Sequence, residues 1–365
     1  MRRGAAASFI VLVLFFSGVL QSLNLARGQT QNINYTIKMS VTYSNLSEDK
    51  IWDFTKREDD RTISLFQNNL WQTVELKNST FPIEARKNDT DGNPVAVLEF
   101  PEGSLHLIPG QNLTFSTAYR VVSKPRFLLP ITEEGSGVLQ NISKDLRDKY
   151  TKEEGPWLVN NSMLKTLAHI IAGDETRVLS VVIRLVSWIQ NPQNIKYKVH
   201  EVPFYANQTL TQGEGDCDDQ AILLVTLSRI LGIPAYLQIG AIHLPDNPPD
   251  LSTHWEGHAK ELTKMIGWHG WAMVYVPPWG WLPVDLTFIW GGGIADPLRA
   301  IKNAAVTSRS VIQYMNVTKF DYVASSLQAR DFLISNNFYV YMEDEMIEEA
   351  GQQSPFGEGS GELLI

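Results

Sequence analysis

The chain contains a single cysteine, Cys217, set among acids in Gly215-Asp216-Cys217-Asp218-Asp219. The run from Asp218 to Leu231 is apolar almost all round and closes on Gly232 and Pro234, the pattern of a helix buried at the centre of its domain. With Asp216 as N-cap, the thiol stands at the helix N-terminus. There the dipole and the unsatisfied backbone N–H groups favour a thiolate and offer donors to an oxyanion. Asp216, Asp218 and Asp219 push the other way, so a nucleophile here needs a strong base beside it. The candidate base is His269, 52 residues on, and the candidate partner for its ring is Asp285, 68 residues on. Thiol, imidazole and carboxylate together are the set for nucleophilic acyl transfer, in which the histidine takes the thiol proton and the carboxylate fixes its orientation and tautomer. Taken singly they read as an inert core cysteine, a satisfied core histidine and a turn-proximal aspartate.

A hairpin must bring the last two together. Two strand-like segments flank Pro277-Pro278-Trp279-Gly280. With a three-residue loop, Val276 pairs with Gly280 and His269 falls opposite Thr287. Asp285 is then a diagonal neighbour of His269 on the same face, within hydrogen-bond reach. A loop one residue longer places the two on opposite faces.

Other elements follow from periodicity. Residues 33–43 alternate apolar and polar without a break, and further strands are expected at 95–100, after an Asp91-Gly92-Asn93-Pro94 turn, and at 113–121. Helical spacing appears at 163–171 and 178–189, the latter ending near Asn191-Pro192, and strands return at 235–244, 271–276 and 281–286. The expected organisation is an export segment over 1–28, a β-sandwich domain over 30–125, a linker over 126–159, a second domain over 160–342 and an acidic disordered tail over 343–365.

Three blocks resemble the transglutaminase-like (papain-like) superfamily: Gly215-Asp216-Cys217-Asp218-Asp219-Gln220-Ala221 with Leu231-Gly232-Ile233-Pro234-Ala235, then His269-Gly270-Trp271, then Trp281-Leu282-Pro283-Val284-Asp285. The match covers roughly residues 160–300. It implies an α+β fold in which a central Cys-bearing helix lies against an antiparallel sheet, preceded here by an all-β sandwich. It also implies Cys217 as nucleophile, His269 as base, Asp285 as orienter and an acyl-thioester intermediate. Gly270 replaces the commoner alanine. An upstream side chain is expected to complete the oxyanion hole, with Gln212, Tyr197 and Trp188 as candidates.

Six of the ten tryptophans, Trp255, Trp268, Trp271, Trp279, Trp281 and Trp290, lie near the proposed histidine and aspartate. Trp268, Trp271, Trp279 and Trp281 are candidates to line a substrate channel and shield a thioester from water; the alternative is hairpin packing. His254 and His258 could share a helix face, yet His-Trp-Glu-Gly-His lacks the metalloprotease order, and the Asp246–Asp250 loop has no specific calcium pattern, so no metal is assigned. No organic cofactor is expected either.

Net charge is −9, with 31 basic residues scattered among 40 acidic ones, which argues against a nucleic-acid partner. A lone cysteine excludes an intramolecular disulfide and a Cys-rich metal cluster. Arg2 and Arg3 followed by an apolar run from Ala5 to Leu20 have the layout of an export signal, cleaved or kept as an anchor. Sequons at Asn34, Asn45, Asn78, Asn88, Asn112, Asn141, Asn160, Asn207 and Asn316 suit a glycosylated extracellular body. The expected function is an exported cysteine-dependent acyl-transfer enzyme acting on amide bonds of protein or peptide substrates, with hydrolysis favoured over amine cross-linking. The alternative is a non-catalytic cell-surface binding or scaffold protein on the same fold.

Overall fold

The computed structural model describes residues 31–126, 130–287, 297–301 and 308–349. The front of the chain is strand: β1 (Ile33–Asn45), β2 (Trp52–Asp53), β3 (Thr62–Ser64), β4 (Gln72–Ser79), β5 (Ile83–Asn88), β6 (Pro94–Leu98), β7 (His106–Leu107) and β8 (Asn112–Ser123). Helices α1 (Lys144–Tyr150), α2 (Ser162–Ala172) and α3 (Val178–Ile189) follow. Then come β9 (Lys196–Tyr197), α4 (Ala206–Gln212), β10 (Glu214–Gly215), α5 (Cys217–Ile230), β11 (Ala235–His243), β12 (Asp250–His254), β13 (Ala259–Lys264), β14 (Ile266–Val276) and β15 (Gly280–Val284). The chain finishes through α6 (Pro297–Ile301), β16 (Val311–Val317), α7 (Tyr322–Asn336) and β17 (Phe338–Glu348). Among the described residues no helix is long and apolar enough to cross a membrane. The expected export segment lies outside them.

Alternation in β1 puts Tyr35 and Ile37 on a buried face, and the strand pairs antiparallel with β8 on one side and β17 on the other. The full sheet runs β12-β13-β17-β1-β8-β4. Three corrections to the expected domain plan follow. First, residues 343–348 are not tail but the second half of β17, with Met346 opposite Ile37 at the sheet centre. The acidic residues that suggest disorder mostly point outward, and Lys38 and Lys264 pair with Glu345 and Glu343. Second, the sandwich does not close on residues 30–125 alone. The small sheet β3-β6-β5 faces the large one across an aromatic core completed by the C-terminus, where Phe338 stacks on Trp52 with ring centroids 4.7 Å apart. Third, the 126–159 stretch is not a linker. Ile131, Ile142 and Trp157 are buried in the helical core, and the Trp157 indole donates to Thr318 O at 2.7 Å.

The second unit is built on the four-stranded sheet β15-β14-β11-β16. One face of β11 and β14 presents Ala235, Leu237, Ala272, Val274 and Val276 to α5, whose residues 219–229 are all buried. Farther along the same face, Ala241, Ile266 and Ile312 pack against Ile37, Tyr119 and Met346 of the large sheet. The sheet therefore takes the Cys217-bearing helix at one end and the β-sandwich at the other.

Candidate active site

Asp216 is the N-cap of α5 and Cys217 its first residue. The chain enters this turn along β10, which pairs parallel with β9 so that Gly215 lies beside Tyr197. Across from the turn, β14 and β15 form the expected hairpin: Val276 pairs with Gly280 and Ala272 with Val284. The three-residue loop holds a cis Pro277-Pro278 bond. This register places His269 and Asp285 together, with Nε2 of His269 2.9 Å from Oδ2 of Asp285; both are buried, at 7% and 1% exposure. Asp285 is fixed in turn: its amide donates to Ala300 O on α6, and its Oδ1 accepts from the Thr287 amide.

The ladder between β14 and β15 ends at Ala272 and Val284. Beyond it, the Gly270 N–H donates to the Cys217 sulfur, so the amide next in chain after His269 touches the thiol. A side chain at 270 has little room, because a Cβ there would stand 3.0 Å from Cβ of Asp218. The departure from alanine at this position thus has a steric reason: the first turn of α5 lies directly on β14.

The electrostatics of the turn go against the helix dipole. Burial, then Asp218 and Asp216, push the thiol well above its ordinary range, and the Gly270 amide opposes them. Asp218 is itself pushed well up by burial and by Asp216, to whose carboxyl it hydrogen-bonds. The Tyr322 hydroxyl, reaching in from α7, hydrogen-bonds to Asp218. Burial and Asp216 raise Asp219 to about 7, while its carboxylate accepts from the amides of Phe204 and Asp216. Nothing in the local sequence pointed to Tyr322, more than a hundred residues downstream.

Of the three oxyanion candidates, Tyr197 is the one near the thiol. Burial, then the charge of Cys217 ahead of the neighbouring acids, pushes its hydroxyl up to about 12. Trp188 packs against the helical core, and Gln212 is exposed on the last turn of α4.

The tryptophans do not form one wall. Trp271 is 1% exposed in a cluster with Ile242, Met273 and Val311, and its ring lies where a side chain at Gly240 would be. Trp268 donates to Asp344 in the interface with the β-sandwich, Trp281 sits among Tyr150, Tyr236 and Tyr275, and Trp279 lies against Gly135. Trp255 donates through its indole to Glu201 O, and Trp290 lies outside the described residues.

The histidine pair does not form on a helix. Trp255 and Glu256 have positive φ in a tight turn between β12 and β13, and His258 is engaged with Phe338 O and stacked on Tyr339. The Asp246–Asp250 turn gathers no group of cation ligands among the described residues. Among the sequons, Asn45 is fully buried and its Nδ2, the atom that would carry a glycan, donates to Lys50 O and Leu107 O, so it is not a glycosylation site of the folded protein. Asn78, Asn88, Asn112, Asn141 and Asn160 are exposed. Asn34, Asn207 and Asn316 are partly buried, and Asn316 accepts from Gln238.

Residues 165–286 match the model of the transglutaminase-like superfamily. No curated protein matches the chain in sequence. A candidate cysteine protease from Cytophaga hutchinsonii shares the fold with a TM-score of 0.52 at 15% identity, covering 90% of this chain and 94% of that one, so the likeness runs through the strand-rich front as well. The periplasmic domain of TgpA from Pseudomonas aeruginosa is more distant, with a TM-score of 0.34 at 14% identity over 77% of this chain and 92% of that one. The hairpin, the Cys-bearing helix and the family match coincide over the same stretch, and the chain carries a domain of the transglutaminase-like superfamily at residues 165–286.

Proposed function

We propose that the protein is an exported cysteine-dependent acyl-transfer enzyme acting on amide bonds of protein or peptide substrates. The observation that carries this reading is the buried His269–Asp285 pair, whose neighbouring amide, that of Gly270, lies on the Cys217 sulfur. In this reading Asp285 holds Nε2 of His269 and Nδ1 is the atom that takes the thiol proton. Cys217 attacks the amide carbonyl as its proton passes to His269. Backbone N–H groups at the head of α5 stabilise the oxyanion, and the imidazolium returns the proton to the departing amine. The remaining thioester is then resolved by water or by a second amine.

Hydrolysis is favoured over cross-linking. Trp268, Trp279 and Trp281, which would keep water from a thioester, are engaged elsewhere, and Trp271 is buried in its own cluster. Export rests on the N-terminal sequence and the exposed sequons. One observation favours the alternative of a non-catalytic binding protein, namely the upward push on the thiol. The deciding experiment incubates the protein with a glutamine-containing peptide, with and without a primary amine, and compares it with Cys217→Ala. Ammonia release or amine incorporation that disappears in the variant supports the enzyme. Absence of both in the native protein, with Cys217 alkylated no faster than a free thiol, supports the binding reading.

A further inference from the structure

We propose that Asp344, on the C-terminal strand, is a positioning residue for His269: it holds the Trp268 indole and with it the stretch of β14 that carries the base. This rests on the reading of His269 as the base and adds to it a part of the chain far outside the family match.

The stretch needs such a restraint. β15 stops at Val284, opposite Ala272, so among the described residues β14 is paired from Gly270 back towards Trp268 only with β11, through Ile239, Gly240 and Ala241. Asp344 supplies a further hold, on the side of the β-sandwich. It lies in β17 between Met39 and Thr263, shares an inward face with Met346, and is 5% exposed. Its Oδ2 accepts from Nε1 of Trp268 at 2.8 Å, and the indole packs edge-on against Tyr314 with centroids 4.9 Å apart. Trp268 is the residue immediately before His269. The bond therefore ties the backbone at the catalytic histidine to the β-sandwich.

The choice of acceptor is costly for a purely structural link. The carboxyl is buried, bonded to an indole that packs on the apolar cluster between the two sheets, and the titratable groups acting with it are Glu343 on its own strand, Glu261 on β13, Tyr119 on β8 and Tyr314 on β16. Burial pushes it up to about 6, so at neutral pH it is ionised and its bond to the indole is charge-assisted.

The test uses the full chain and three substitutions: Asp344→Leu removes the acceptor, Trp268→Phe removes the donor, and Asp344→Asn keeps an acceptor oxygen. The first readout needs no substrate: the pH profile of Cys217 alkylation by iodoacetamide reports whether the imidazole still faces the thiol. Asp344→Leu and Trp268→Phe should each convert it to the single titration of an isolated thiol, whereas Asp344→Asn should keep the native profile. On a glutamine-containing peptide, the first two should lower kcat about 10-fold with KM nearly unchanged, and the double variant should be no worse than either, because both remove one bond. Native alkylation profiles in Asp344→Leu and Trp268→Phe, or losses that multiply in the double variant, would overturn the proposal. If Asp344→Leu fails to fold, Trp268→Phe set against Asp344→Asn decides it. The underlying reading fails separately, through full activity in Cys217→Ala.

Discussion

The acids around Cys217 offer the sharpest test of how the nucleophile is tuned. Ligand atoms of Asp216, Cys217 and Asp218 lie within 4.8 Å of one another. Burial pushes the Asp218 carboxyl well up, so the magnitude is set by one negative charge on the pair. At 4.8 Å and an effective dielectric of about 20, one charge raises the free energy of the thiolate by about 3.5 kcal/mol; at twice that dielectric, suited to a partly exposed site, by about 1.7 kcal/mol. Removing it with the double substitution Asp216→Asn, Asp218→Asn should therefore lower the thiol pKa by about 1.3 to 2.5 units. The gain in thiolate is partly offset because a less basic thiolate is a weaker nucleophile, which leaves alkylation at pH 7 about 5- to 25-fold faster. Asparagine still caps a helix, so α5 should keep its start.

The single variant Asp218→Asn is the internal control. It removes the carboxyl that burial pushes well up and keeps Asp216, and its alkylation rate should stay within about 2-fold of native. Rates would be read by stopped-time iodoacetamide labelling and mass spectrometry, with circular dichroism to confirm the fold. An unchanged or slower rate in the double variant would refute the electrostatic account. A single variant as fast as the double would refute the unequal weight of the two carboxyls.

Three further outcomes follow from the same geometry. Gly270→Ala places a Cβ 3.0 Å from that of Asp218 and must push the head of α5 off β14 by tenths of an ångström; kcat should fall about 10-fold at a stability cost of about 1 to 2 kcal/mol, measured by kinetics beside urea unfolding. Trp157→Ala empties a fully buried site and removes an indole bond to Thr318 O, so urea unfolding should show a loss of about 3 to 5 kcal/mol, where a true linker residue would show almost none. Asp344 has its pKa raised from 3.8 to about 6 in the folded state, so its contribution to stability is fully present below the lower value and is lost as pH rises through the upper. Stability should therefore fall by up to about 3 kcal/mol across that window, and Asp344→Asn should flatten this part of the pH profile.

How far each feature could be read from sequence depends on whether local spacing decides it. The His269–Asp285 pair could be read because a hairpin loop of fixed length determines which residues share a face, and the observed pairing of Val276 with Gly280 is the one on which that expectation depended. The buried Cys-bearing helix was legible for the same reason, through an apolar surface on every side and a cap. Composition misled where one inward residue does the packing. In Glu343-Asp344-Glu345-Met346 only Asp344 and Met346 are buried, and the charge of the rest conceals a strand. The tryptophans misled in the opposite way: nearness in sequence suggested a shared wall, while alternation along β14 sends Trp268 to the β-sandwich interface and Trp271 to the other face of the sheet.

The balance at Cys217 is a different kind of omission. Sequence lists three acids beside the thiol and a helix dipole opposing them, but the outcome turns on how many protons the acids keep, and that depends on burial and on Tyr322 arriving from a distant helix. If Asp216 and Asp218 carried two full charges, the Gly270 amide alone would be a poor counterweight to them. Burial and Asp216 push the Asp218 carboxyl well up, while the Gly270 amide opposes the acids at the sulfur. The two carboxyls therefore do not weigh equally on Cys217, which is why the double and single substitutions are predicted to differ.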